Sequence, residues 1–438
     1  MFNELSKKEV AMRRREFFKK AGIAFGGIPF WMGVLPENLA AKIPAGVKIT
    51  DVKTFIVGHL VFVKIYTNVG VTGLGEASIT NGGLERAVEG AILDRAHILI
   101  GRDPTDIEFL WQALFRWPRT RGGTLDVSAI SGMDIALWDI LGKLLDVPVY
   151  RLLGGGARDH VRLYAHVGGS SPEAVAESTA RVKEEGFTVF RAGTNIVRSE
   201  TKPDITPDAT IREIPRPWDL KFAVAITEAI REAGGDDIDI IVDGHGLLTQ
   251  VMALEYAKAV EHCRIMFIED PVVQENMAGL KWIQEHTTIP LAIGESNSSK
   301  FGYFRQIIFE RLASYVRPDV VHAGGITETR KISAMAEANF IDVALHVASS
   351  AVANFAATHV GISTPNCVLQ ENTGRNQSGF MADLFYGDDI TIVDGYAQRP
   401  EKPGLGCDLN EEVAATRPYE WGQALPHAVY EDGSVSDN

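Results

Sequence analysis

The sequence predicts an α/β fold: a closed barrel of parallel strands, preceded by a smaller α+β part. Three observations carry this. From about residue 161, short apolar runs and helix-like segments alternate at a steady beat, as βα units around a parallel sheet do. Eight of these runs end in or beside a polar residue, and the carboxyl ends of barrel strands are where an active site is built. Residues 47–80 behave differently. They alternate like a meander, with Asn68-Val69-Gly70 and Thr72-Gly73 supplying the turns.

Taken in order, the first 41 residues stand apart. A basic cluster around Arg14-Arg15-Glu16-Phe17-Phe18-Lys19 runs into a short apolar stretch of small and aromatic residues. That layout resembles an export signal of the twin-arginine type and predicts a periplasmic protein cut near Ala40–Ala41. Residues 47–160 form the α+β part: the meander, then helical patterns from about 83 to 150. One of these, "SAISGMDIALWDILGKLL", is apolar on most sides and so is expected to be buried. The barrel is expected over 161–384, and residues 385–438 are expected to pack back on the first part.

Composition narrows the function. At 438 residues the chain exceeds one ordinary domain, and 45% hydrophobic with 23% charged residues describes a soluble globular protein. A net charge of −14 argues against nucleic acid or an anionic membrane as partner, while leaving room for an anionic small substrate. Cys263, Cys367 and Cys407 have neither a disulfide framework nor metal-ligand spacing. No segment after the leader has the roughly 18 apolar residues that a membrane span needs.

The eight strand ends are His166, Arg191, Asp243, Glu269, Glu295, Asp319, His346 and Glu371. Asp243, Glu269 and Glu295 close three consecutive strands at equal intervals of 26 residues. Three converging carboxylates repel one another without a cation, and hard oxygen ligands with no cysteine suit Mg²⁺. Asp319 beside His346 would fix the imidazole tautomer and raise its basicity, which suits a general base that removes a proton from carbon. Glu371, if protonated, could donate to a developing enolate oxygen. His245, two residues past Asp243 and expected on the same strand face, is read as a general acid or as a group that orients substrate. Asp270, next to Glu269, would point to the other face.

Together Asp243-x-His245, "FIEDPV", "AIGES", "RPDVVHAGGITE", "ALH" and "LQEN" resemble the enolase superfamily, mandelate racemase subgroup. The likeness is greatest to mannonate dehydratase-like and related acid-sugar dehydratases. It extends over roughly 48–438, through "VTGLGEAS", "LLGGGARD" and "PGLGCDLNEE". It implies a (β/α)7β TIM-like barrel with an α+β capping domain and Mg²⁺ on Asp243, Glu269 and Glu295. It also implies proton abstraction beside a carboxylate followed by loss of a hydroxide. By resemblance, His346 with Asp319 is the base dyad of galactonate-type dehydratases, and His245 protonates the leaving hydroxyl. His166 and Arg191 contact substrate, Glu371 is the family's eighth-strand glutamate, and the protein is a homo-oligomer.

This sequence departs from the pattern in two places. "FRAG" stands where racemases carry a lysine base, which counts against a two-base racemisation. The loop 194–216 has no tyrosine, the base of mannonate dehydratases. The expected reaction is therefore Mg²⁺-dependent dehydration of an aldonic or uronic-derived acid to a 2-keto-3-deoxy acid. An epimerase, a lactone cycloisomerase and a sugar-acid-binding protein without catalysis are the alternatives.

Overall fold

The computed structural model describes residues 43–79, 83–119, 121–193, 199–201, 209–212, 220–372, 379–387, 389–419, 427–430 and 432–435. The expected signal (1–41) and most of the 194–216 loop lie outside these residues.

The cap opens with an antiparallel meander, β1 (Ile49–Val57), β2 (Leu60–Thr67) and β3 (Thr72–Glu76). Three helices follow: α1 (Glu85–Leu99), α2 (Ile107–Arg116) and α3 (Thr124–Leu145), then a single turn, α4 (Val149–Leu152). Strand β3 lies almost against the backbone of α3. A Cβ on Gly73 would sit 2.0 Å from the Ala136 carbonyl, and one on Gly75 would sit 1.9 Å from the Gly132 carbonyl. Only glycine permits that approach, which explains the "TGLGE" strand.

The barrel runs β4 (His160–His166), α5 (Pro172–Glu184), β5 (Val189–Gly193), the excursion β6 (Ser199–Thr201) and β7 (Ala209–Arg212), then α6 (Lys221–Gly234) and β8 (Asp239–Asp243). It continues through α7 (Gln250–Val260), β9 (Phe267–Glu269), α8 (Met277–His286), β10 (Leu291–Ile293), α9 (Tyr303–Phe309) and β11 (Tyr315–Val316). It ends with α10 (Gly325–Glu337), β12 (Asp342–Leu345), α11 (Ala351–Ser363) and β13 (Cys367–Asn372). Strands β4, β5 and β8–β13 pair in parallel, and β13 returns to β4 through Glu371 opposite Tyr164. Seven helices join eight strands, so the fold is the expected (β/α)7β TIM-like barrel with a cap.

Beyond β14 (Phe385–Gly387) and β15 (Ile392–Val393), β16 (Tyr396–Gln398) runs antiparallel to the start of β4. The chain then passes β17 (Cys407–Leu409) and α12 (Glu411–Ala415) and ends at β18 (His427–Tyr430), which pairs with β7. This segment therefore touches the barrel as well as the cap. On the cap side, Lys64 ion-pairs with Asp408 and Glu411, and the Tyr66 hydroxyl donates to Glu411.

The cap docks through α2 and α3. The Thr327 N–H and hydroxyl both donate to Asp134, and the Trp111 indole donates to the Gly324 carbonyl.

Strand alternation puts the barrel interior in layers. Tyr164, Val189, Ile241, Phe267, Ala292, Ala344 and Leu369 form one apolar cluster, with Tyr315 packed on it. Two residues further along seven of these eight strands stand His166, Arg191, Asp243, Glu269, Arg317, His346 and Glu371. The exception is β10. Gly294 adopts φ 140°, with Phe304 and the Arg317 backbone too close to admit a side chain, and the acid arrives one residue later as Glu295.

Candidate active site

Three of the expected carboxylates meet at one point. One oxygen from each of Asp243, Glu269 and Glu295 lies within 4.8 Å of the others. Asp243 and Glu269 are fully buried, and the Glu295 side chain is 16% exposed. Both Glu269 oxygens and Asp243 Oδ2 are buried without a well-formed hydrogen bond. Burial pushes the Glu269 carboxyl up to about 7 against the pull of Arg317, with Glu295 adding repulsion. Burial works the same way on Glu295, but the positive charges of His346 and Arg317 hold it down at about 2. Three carboxylates packed this closely leave the ring short of positive charge. Clustered, under-bonded, hard oxygen donors with no sulfur fit Mg²⁺.

Two arginines supply part of the missing charge. Arg317 was not singled out in the sequence reading. It is fully buried, lies 2.7 Å from Glu269 Oε1 and 3.6 Å from Glu371 Oε2, and donates to the Tyr164 hydroxyl at 2.7 Å. The strand-six member of the polar ring is this arginine, and Asp319 sits two residues beyond it. The signal that reveals it is the two-residue step from Tyr315. Arg191, expected to face substrate, instead ion-pairs with Asp243 Oδ2 and donates to His245 Nε2 at 2.8 Å.

On the other side of the ring, His346 Nδ1 is 2.6 Å from Asp319 Oδ2. Asp319 is oriented in turn by the Val321 N–H. The opposite nitrogen, Nε2, faces the ring, 3.5 Å from Glu295 Oε2 and 3.5 Å from Glu371 Oε2. Burial would lower this imidazole, but Glu371, Glu295 and Asp319 together lift it to about 10.

Two sequence expectations need correction. Glu371 is not a protonated donor. It accepts from the Val347 N–H, and its Oε1 lies 2.6 Å from His166 Nε2. Despite burial, His346, His166 and Arg317 hold it well below the usual carboxylate range. His245 does not continue the strand: its φ is 48°, and its N–H closes a turn onto Asp243 Oδ1 at 2.7 Å. The turn still brings Nε2 to within 2.9 Å of Asp243 Oδ2. Burial and Arg191 push this histidine below its ordinary value. His166 is half exposed at the rim, bonded to Glu371.

A cleft of about 210 Å³ opens beside the three carboxylates, lined by His245, Asp270, Gln274, Glu275, Glu295 and Ser296 among others.

Known proteins are similar to this chain. Residues 34–154 match the mandelate racemase / muconate lactonizing enzyme N-terminal domain, and residues 173–413 match the enolase C-terminal domain-like family. The chain belongs to the mandelate racemase branch of the enolase superfamily. It is 36% identical to the D-galactonate dehydratase of Pectobacterium atrosepticum over 89% of this chain and all of that one. It is 35% identical to a D-mannonate dehydratase of Caulobacter sp. (strain K31) over 89% of this chain and 99% of that one. A solved enolase from Pantoea ananatis with bound D-gluconate and Mg has a TM-score of 0.79 at 32% identity, covering 89% of this chain and 99% of that chain.

Proposed function

We infer that this protein is a Mg²⁺-dependent dehydratase of sugar acids, with His346 as the base that takes the α-proton. The observation that carries the reading is the placing of His346. Asp319 fixes Nδ1 from behind, and Nε2 faces Glu295 and Glu371, each at 3.5 Å. The named relatives act on D-galactonate and D-mannonate, which supports a six-carbon aldonate as substrate.

Asp243, Glu269 and Glu295 would hold the cation. Bound Mg²⁺ supplies a Lewis acid for the substrate carboxylate and cancels the Glu295 charge that helps to keep His346 protonated. Asp319 accepts the Nδ1 hydrogen, so Nε2 is the lone pair offered to the substrate. Glu371, fixed by Val347 and His166, is an acceptor for a substrate hydroxyl. His245, across the ring, is placed to give the proton that leaves with the β-hydroxyl as water. It takes that proton from solvent before each turnover, since its side chain is 46% exposed.

Turnover across a library of aldonates and uronates tests the reaction class. The expected result is a 2-keto-3-deoxy acid from one or a few aldonates, with activity abolished by chelation and restored by Mg²⁺. Inversion at a carbon without loss of water, or full activity after exhaustive chelation, would contradict it.

We also propose that residues 1–41 export the folded enzyme. The twin-arginine-like cluster supports this, and a reporter behind this segment should leave the cytoplasm unless Arg14 and Arg15 are replaced by lysine. Light scattering on the purified protein would test the expected homo-oligomer.

A further inference from the structure

Glu76 ends β3 of the cap, and nothing in the mechanism above uses it. It is fully buried, which is costly for a carboxylate unless its oxygens are satisfied. Oε2 accepts from the Ser350 hydroxyl at 2.6 Å and the Ala353 N–H at 3.2 Å. Oε1 accepts from the Ser78 hydroxyl at 2.6 Å, and Ser78 Oγ accepts in turn from the Val61 N–H at 3.0 Å. One end of this chain of bonds is the β1–β2 hairpin of the cap. The other is the amino terminus of α11, where Ser350 is the capping residue.

Helix α11 begins just after the turn that carries His346. Glu76 therefore holds, from another domain, the segment immediately behind the base. A second buried cap carboxylate, Asp134, clamps the start of α10 through the Thr327 N–H and hydroxyl, so what sets Glu76 apart is the helix it reaches, which begins at Ala351, just past His346. Here the acceptor charge is matched to helix N–H groups, where the helix dipole favours it. Burial pushes Glu76 up to about 7 against the Ser350 and Ser78 hydrogen bonds, and Asp319 raises it further. The carboxyl thus feels the dyad electrostatically as well as through the helix.

We propose that Glu76 is a positioning residue. Through Ser350 and Ala353 it fixes the 346–350 turn, so that docking of the cap hairpin sets the reach of His346. The proposal rests on His346 being the base. It predicts a loss confined to the chemical step, because the metal carboxylates stand on other strands.

The test uses the full chain and an aldonate that the wild type turns over. Glu76→Ala, Glu76→Gln and Ser350→Ala are compared for kcat, KM, Mg²⁺ affinity by calorimetry and Tm. Glu76→Ala should lose about 10–100-fold in kcat, the scale of a small misplacement of a reacting group. Its KM and Mg²⁺ affinity should stay within about two-fold of wild type, an expectation that follows from the same principle acting on the base alone. Glu76→Gln should recover most of the loss, since its amide oxygen still accepts from the Ala353 N–H. Ser350→Ala should fall between Glu76→Ala and wild type. Wild-type kcat in folded Glu76→Ala would overturn the proposal. So would Mg²⁺ affinity falling in step with kcat, which would mean that Glu76 supports the whole site. If Glu76→Ala does not fold, wild-type kcat in both other variants overturns it. A misassigned base shows separately, as wild-type α-hydrogen exchange in His346→Asn.

Discussion

Inside the barrel two layers of side chains sit two residues apart on the same strands, about 7 Å along each. The lower layer is apolar and close-packed: Tyr164, Val189, Ile241, Phe267, Ala292, Ala344 and Leu369. Each large side chain there contributes about 1.5–3 kcal/mol by leaving water. The upper layer, from His166 round to Glu371, is almost entirely ionisable. It is held by compensation, with Arg317 placed among Glu269, Glu295 and Glu371. The same backbone period serves both layers, so the difference is one of side-chain chemistry. Stability is concentrated in the lower layer. The upper one stores buried charge that a cation and a substrate can use.

The largest effect expected from breaking that division is chemical. His346→Asn should lose dehydration by about 10²–10⁴-fold, the usual worth of a general base. It should also lose exchange of the α-hydrogen with deuterated water, followed by NMR. His245→Asn should lose dehydration but keep measurable exchange, because only the second proton transfer is gone. Wild-type exchange in His346→Asn would place the base elsewhere, and the loop after β5 would be the first place to look.

Next in size is a pair of stability effects that separates the layers. Phe267→Ala leaves a cavity in the lower layer and should cost about 3–5 kcal/mol, with or without Mg²⁺. Arg317→Met breaks a buried ion network and should cost a similar 3–5 kcal/mol in the metal-free protein. Because the loss there is of positive charge, added Mg²⁺ should return much of it by binding the folded state alone. Denaturant melts in chelator and in Mg²⁺ decide this. Equal responses of the two variants to Mg²⁺ would mean that the layers are not electrostatically distinct.

Much of this arrangement was legible in the sequence, and the failures have physical causes. The carboxylate spacing of Asp243, Glu269 and Glu295 survived folding because each ends a short parallel strand or lies just past it. The helix-like segments that alternate with the apolar runs correspond to α5 through α10. Helix α11 was not singled out, because every one of its residues is buried and a helix covered on all sides has no contrast between faces. Arg317 was missed because β11 is only two residues long, too short to show its alternation, so the eye moved to Asp319. The ionised state of Glu371 was left open in the sequence because it depends on His166 and Arg317, which only the closed barrel brings to it. His245 was placed near Asp243 for the wrong reason: the chain turns through a left-handed residue, where a strand was expected.

The smallest effect predicted concerns Arg191, and it tests whether the polar layer compensates itself. The Arg191 guanidinium ion-pairs with Asp243 Oδ2, an oxygen that the cation would use. The two side chains are 13% and 0% exposed, and the cost of desolvating them offsets most of their attraction, leaving a net worth on the order of 1 kcal/mol. A cation that takes this oxygen must displace the arginine, which lowers its apparent affinity. Arg191→Met should therefore bind Mg²⁺ more tightly by about five-fold, the equivalent of ~1 kcal/mol, in calorimetry without substrate. His245 should respond in the same variant. Burial and the arginine charge now hold its pKa below the ordinary histidine value, so removing the charge should raise it, as read by NMR in the metal-free protein. His245 would then carry a proton more readily, as its role as acid requires. Unchanged Mg²⁺ affinity together with an unchanged His245 titration would show that Arg191 does not compete for the site. The short supply of positive charge in the ring would then be met by Arg317 alone.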